Sequence, residues 1–146
     1  METLSKFKST VIKIIRHEKR SIFNIHNSNG IKYIYQLRVG LSSLKFHKKA
    51  HNFVDTPVDT CLCSTGMETT EHFLLKCPFF NVHRDKLFST VNPLISKMQP
   101  LTSVENSTLV NILLYGEKDL NLRENQSILK ATINYILNTG RFSQVS

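Results

Sequence analysis

All three cysteines of the chain fall in one stretch, CLCSTGMETTEHFLLKC, and one histidine lies between them: Cys61, Cys63, His72 and Cys77. Three thiolates and an imidazole are soft donors at short reach. That donor set selects zinc over magnesium or calcium. Cys61 and Cys63 sit close enough to chelate an ion from one turn, and His72 and Cys77 follow from the next element. Four protein ligands leave no position open for water, so the site is expected to be structural rather than catalytic. The competing reading is three buried thiols packed as small apolar groups beside a surface histidine. His47, His51 and His83 are spare imidazoles outside the tight cluster that could replace a ligand, whereas His17 and His26 have no evident partner.

The elements that would carry these donors follow from apolar spacing. Thr69 or Thr70 is suited to cap a helix bearing His72, Phe73, Leu74, Leu75 and Cys77. An α-helix turns once in 3.6 residues, so His72 and Cys77, five positions apart, do not share a face unless the turn before Pro78 is loosened. Pro78 suits the first turn of a further helix reaching about Val91, with Phe79, Phe80, Leu87, Phe88 and Val91 on its apolar side. Pro93 and Pro100 bracket a short segment without a clear pattern. Ser103 and Asn106 are candidate caps for a helix ending near Tyr115 and Gly116. A last helix is expected from about Arg123 to Thr139, before Gly140.

Upstream, Leu4, Phe7, Val11, Ile14 and Ile15 recur at helical spacing, which predicts an amphipathic helix over residues 3 to 17. HNSNG reads as loop. Residues 31 to 39 read as a helix ended by Gly40, and residues 41 to 50 as a second short helix. The stretch 51 to 60, with Pro57, Asp55 and Asp59, is a linker. The fold class expected is therefore mainly α, a small zinc-stapled helical domain with a short irregular Cys/Cys/His/Cys knuckle. Three regions are expected: a basic helix and loop at 1 to 30; basic helices, knuckle and following helix at 31 to 92; and a helical packing region at 93 to 146.

The charge is unevenly placed. Residues 1 to 54 carry eleven Lys/Arg and two acids, a balance of +9, while residues 55 to 146 carry eight and nine, a balance of −1. A cationic third of this kind suits a polyanion such as nucleic acid. Lys32, Arg38, Lys45, Lys48 and Lys49 are the expected phosphate contacts. Tyr33, Tyr35 and Phe46 lie among them and either stack on bases or, more simply, pack in the core. The near-neutral, Leu- and Ile-rich stretch 102 to 146 offers an alternative: a zinc-stabilised module whose partner is a protein held by the C-terminal helices.

Several function classes are excluded. There is no Gly-rich phosphate loop, no adjacent Asp-Asp pair for two-metal chemistry, and no His-x-Glu with Pro-Cys-x-x-Cys as deaminases require. Nothing marks a base or oxyanion site for a cysteine nucleophile, so no catalytic residue and no enzyme activity are expected. No apolar run approaches the ~20 residues of a membrane span, and the N-terminus lacks the apolar block of a signal peptide. With an odd number of cysteines, a reducing intracellular compartment, cytoplasmic or nuclear, is expected.

The residues between about 36 and 90 resemble the zinc-binding C-terminal tail of non-LTR (LINE-type) retrotransposon reverse transcriptases. The resemblance rests on Arg38, Gly40 and Leu41, on His47 to Lys49, on Cys61 and Cys63, on Glu68-Thr69, His72 and Cys77-Pro78, and on Arg84. It implies a zinc-binding segment that helps hold template RNA or target DNA beside a polymerase. This chain carries no palm motif, so the expectation is a module derived from such a tail, without polymerase activity. Ser64 departs from the pattern, standing where the family often has glycine.

Overall fold

The computed structural model describes residues 28–52, 58–98 and 103–143. The amphipathic helix expected at 3 to 17 lies outside the described residues, as does most of the 1 to 30 region. Five α-helices occur among the described residues: α1 (Ser28–Val39), α2 (Lys45–Ala50), α3 (Asn81–Ser96), α4 (Asn106–Tyr115) and α5 (Leu122–Thr139). The architecture is mainly α, as the sequence implies. The knuckle and two short turns lie between α2 and α3, and among the described residues the only β pairing is one antiparallel bridge, Thr60 with Met67.

Helix α1 stops because Gly40 adopts φ +73° and the Leu41 N–H returns to the Gln36 carbonyl at 2.9 Å, a left-handed helix end that glycine makes without steric cost. Helix α2 is shorter than expected. Residues 41 to 44 are held out of helix by Ser42, whose hydroxyl accepts the Leu44 N–H at 3.2 Å and meets His47 Nδ1 at 2.7 Å.

Helix α3 runs through Pro93, a residue that favours a break. The missing proline N–H removes one backbone bond. Arg84, Leu87, Val91 and Ile95 nevertheless form a buried stripe at helical spacing, and that stripe packs against α5 more extensively than any other pair of elements. Tertiary packing outweighs the local penalty. Phe79, expected on this apolar side, is instead exposed, because Pro78–Phe80 forms a separate 3₁₀ turn ahead of the helix.

Helix α4 begins at Asn106 after an extended Glu105, without the side-chain cap expected from Ser103 or Asn106. Helix α5 is the centre of the molecule and touches α1, α3 and α4. Asn121 and Glu124 cap it reciprocally: the Glu124 N–H donates to Asn121 Oδ1 at 2.8 Å, and the Asn121 N–H donates to Glu124 Oε1 at 3.1 Å. Gly140 ends it at φ +67°. Ile34, Leu44, Phe73 and Leu74 share one apolar cluster with Ile95, Ile112, Ile128 and Ile133, so residues on both sides of position 92 build a common core.

Candidate metal centre

Residues 59 to 68 fold back on themselves. The Glu68 N–H donates to the Asp59 carbonyl at 2.7 Å, and the Cys61 N–H to the Gly66 carbonyl at 2.8 Å. The tip closes when the Ser64 N–H reaches the Cys61 carbonyl at 2.9 Å. This places Cys61 and Cys63 on one turn, Cys61 buried and Cys63 half-buried. Ser64 takes φ +64°, a left-handed conformation that costs a residue with a β-carbon roughly 1–2 kcal/mol.

The other two donors come from a widened turn. Thr69 starts it, its hydroxyl accepting the His72 N–H at 3.1 Å, so of the two expected caps it is Thr69 that serves. His72–Lys76 then forms a π-helical turn, closed by the Cys77 N–H on the His72 carbonyl at 2.7 Å. Five steps of an α-helix overshoot a full turn by about 140°, and the wider π turn reduces this and brings His72 and Cys77 to the same side. Cys77 must leave the helix here, because the residue before a proline is driven to extended backbone, and its ψ is 120°.

A π turn leaves carbonyls without their α-helical partners, and α3 and α5 supply replacements. Arg84 Nε donates to the Leu74 carbonyl at 3.0 Å, and its Nη2 to the Phe73 carbonyl at 3.3 Å. The Tyr135 hydroxyl also donates to the Phe73 carbonyl. Arg84 is itself fixed by Asn81 Oδ1 at 2.8 Å and by the Tyr135 oxygen at 3.2 Å.

The result is that the ligand atoms of Cys61, Cys63, His72 and Cys77 all lie within 4.8 Å of one another, a cluster that can hold a metal ion. Cys61 and Cys77 Sγ are 3.8 Å apart, and a tetrahedral ion with metal–sulfur bonds of about 2.3 Å has sulfur–sulfur edges of about 3.8 Å. Cys63 Sγ lies 3.2 Å from His72 Nε2, so Nε2 is the imidazole atom turned to the cluster. Burial pushes the Cys77 thiol up to about 12, with the adjacent Cys61 and Cys63 adding to the rise, and burial likewise raises Cys61. Desolvation also acts upward on Cys63, but hydrogen bonds from Thr65, Cys61 and His72 outweigh it and bring the thiol to about 6. A bound dication would hold all three sulfurs as thiolates.

His47 and His51, considered as substitute ligands, serve elsewhere. The Ser42 N–H donates to His47 Nδ1 at 3.3 Å, Nε2 meets the Thr70 hydroxyl at 3.3 Å, and burial followed by repulsion from His51 lowers the His47 pKa. His51 Nε2 contacts the Gly40 carbonyl at 3.2 Å. His83 lies outside the cluster.

An ion pair between buried Glu68 and half-buried Arg141 ties the knuckle to the rest of the fold. Glu68 is 4% exposed and takes a bidentate contact from Arg141, Nε to Oε2 at 2.8 Å and Nη2 to Oε1 at 2.6 Å. Its Oε1 also accepts the Lys45 N–H at 2.8 Å, capping α2 from a distance in sequence. Arg141 Nη2 donates further to the Ser43 carbonyl at 3.0 Å. Phe142 packs between Phe73, edge-on, and Tyr33, tilted, each ring centroid 5.3 Å away. Arg141 does not stand out in the sequence, and Glu68 does so only as part of the Glu68-Thr69 motif. The two are 73 positions apart, and no local pattern links them.

The expected phosphate contacts do not form one cluster. Arg38 is a correction: it is buried, its Nε donating to the Leu114 carbonyl at 2.7 Å and its guanidinium lying over the Tyr35 and Tyr115 rings, 5.3 and 5.0 Å from their centroids. It clamps α1 to α4. Lys32 and Lys49 are exposed and Lys45 and Lys48 half-buried. Lys45 Nζ donates to the Thr60 carbonyl at 3.1 Å, and Lys49 Nζ lies 3.7 Å from Asp59. Tyr33 and Tyr35 are packed, while Phe46 is exposed.

Comparison with protein-family models, with curated proteins and with solved structures finds no match for this chain. Among the described residues no helix is long and apolar enough to cross a membrane.

Two outcomes follow from this geometry. Ser64→Gly relieves the left-handed residue and raises stability by up to about 1 kcal/mol in urea unfolding, and a destabilised variant would contradict the turn described. Glu68→Gln costs about 1.5–3 kcal/mol at neutral pH, because it leaves the half-buried Arg141 without its charge partner. Desolvation raises the Glu68 pKa, but Arg141 and the Lys45 N–H outweigh it, so the carboxyl titrates below its ordinary 4.5. A depressed folded pKa gives stability that is present above 4.5 and lost as pH falls through the folded value. The stability gap between wild type and Glu68→Gln is therefore constant from neutral pH down to about 5 and shrinks below 4.5 in pH-resolved denaturation.

Proposed function

We propose that this protein is a zinc-stapled helical module that binds nucleic acid. The observation that carries the reading is the convergence of Cys61, Cys63, His72 and Cys77 within 4.8 Å, together with a sequence whose described residues 28–52 carry five Lys/Arg and no acid. Three thiolates and one imidazole favour zinc, and a closed set of four makes its role structural. Such an ion contributes coupled folding free energy of about 10–16 kcal/mol in small peptides, as much as a domain's whole net stability of ~5–15 kcal/mol.

The resemblance to the tail of LINE-type reverse transcriptases supports the same reading, because several of its motif positions have a mechanical job. Arg38 and Gly40 clamp and end α1, Glu68 and Thr69 start the second half of the knuckle, and Arg84 holds the π turn. The reading assigns this chain binding and no catalysis. Lys32, Lys45, Lys48 and Lys49 are the phosphate contacts, and Arg38 is withdrawn from that set. A protein partner seated on the C-terminal helices is less favoured. Within 103–143, Leu122 is the one large hydrophobic side chain left exposed among the described residues, and the rest face the core.

The test is equilibrium binding of a labelled oligonucleotide across a salt series. Three or four phosphate contacts predict that log K falls against log salt with a slope of about −2 to −3. Lys48→Glu with Lys49→Glu weakens binding at least about tenfold and flattens the slope. Affinity indifferent to salt and to these substitutions would overturn the nucleic-acid reading.

A further inference from the structure

The large exposed apolar side chains of the knuckle lie directly beside the lysines of α2. Leu62 stands at the tip of the turn between the two cysteines and is 78% exposed; Met67 is 51% exposed and Phe46 40% exposed. Backbone contacts bring their segments together. Met67 bridges Thr60, two residues before Leu62, and the Phe46 N–H donates to the Glu68 carbonyl at 3.3 Å, next to Met67. Lys45 Nζ reaches the Thr60 carbonyl at 3.1 Å, and Lys49 Nζ lies 3.7 Å from Asp59 at the foot of the same hairpin. Three exposed apolar side chains therefore stand on paired backbone segments next to the cations of α2.

Building on the nucleic-acid reading, we infer that this face is a single-strand site: the bases lie against Phe46, Leu62 and Met67 while the phosphates run along Lys45, Lys48 and Lys49. Charge complementarity selects the occupant. The two acids of the hairpin are already engaged, Glu68 by Arg141 and Asp59 by Lys49, so the face presents a net positive rim to a polyanion. The Lys49–Asp59 pair is half-exposed and of the kind worth little in water, so a phosphate can displace it. Apolar side chains on a projecting turn need base faces that are accessible, and a duplex keeps its base faces stacked inside. The site accordingly discriminates by strandedness, with sequence tolerance, because every base has an apolar face.

The experiment is fluorescence anisotropy on the full chain, loaded with zinc, against labelled single-stranded DNA, single-stranded RNA and a duplex of the same length. The variants are Leu62→Ser with Met67→Ser, Phe46→Ala, and, as a control on α5 outside this face, Leu122→Ser. All of these sites are exposed, and retained zinc and helical circular dichroism verify the fold of each variant. The expected result is a loss of about tenfold or more on single strands for the polar and truncated variants of the face, little change on duplex, and wild-type affinity for Leu122→Ser. The salt slope stays that of wild type, because no phosphate contact is touched. The DNA and RNA arms report which strand is preferred. Salt-dependent binding that is unaffected by these variants, or equally affected on duplex, overturns this site and leaves the nucleic-acid reading standing. A wild-type chain that binds no strand overturns both. A change of oligomeric state in the Leu62→Ser, Met67→Ser variant without a change in binding identifies the face as a contact between copies of the chain and overturns the proposal.

Discussion

Three sulfurs and an imidazole brought within 4.8 Å of one another repel or strand one another's protons unless a cation sits among them. The thiols are unequal: burial pushes Cys77 up to about 12, while hydrogen bonds bring Cys63 down to about 6. The surrounding geometry serves the convergence of these donors. Ser64 accepts a left-handed backbone so that the first two cysteines share a turn, and residues 72–76 accept a π turn so that the last two ligands share a side.

Each irregularity is answered by a residue from the helical body. The π turn frees the carbonyls of Phe73 and Leu74, and Arg84 of α3 and Tyr135 of α5 take them up. The knuckle's returning arm ends in Glu68, whose charge is matched by Arg141 just beyond α5 and whose oxygen also caps α2. The centre is thus held to α5 near both Tyr135 and Arg141. A perturbation at the sulfurs travels into the core through polar contacts as well as through Phe73, which packs against Phe80, Tyr135 and Phe142. The helices are the frame that allows the knuckle its unfavourable backbone, and the knuckle in turn closes one end of the frame.

Much of this was legible in the sequence where the signal is local. The donor set, the helix ends at Gly40 and Gly140, the cap at Thr69 and the mainly α class all follow from residue type and short spacing. The five-residue step from His72 to Cys77 announced a loosened turn, and the π turn is the form it takes. The Asn121–Glu124 capping box was also readable and shifts the start of α5 by one residue. What could not be read locally depends on distant partners. Pro93 remains helical because Val91 and Ile95 are buried against α5. Arg38 reads as a surface cation by type, yet the Leu114 carbonyl and two tyrosine rings draw it inside. Glu68 and Arg141 meet across 73 residues, a pairing that only the folded chain discloses.

The central claim is that Cys61, Cys63, His72 and Cys77 jointly hold one metal ion on which the fold depends. Native mass spectrometry of the full chain with and without a chelator, read together with circular dichroism, tests it most directly. The account predicts one zinc per chain, removed by the chelator together with helical signal. A chain that carries no metal, keeps its helical signal and has all three cysteines freely alkylated would contradict it.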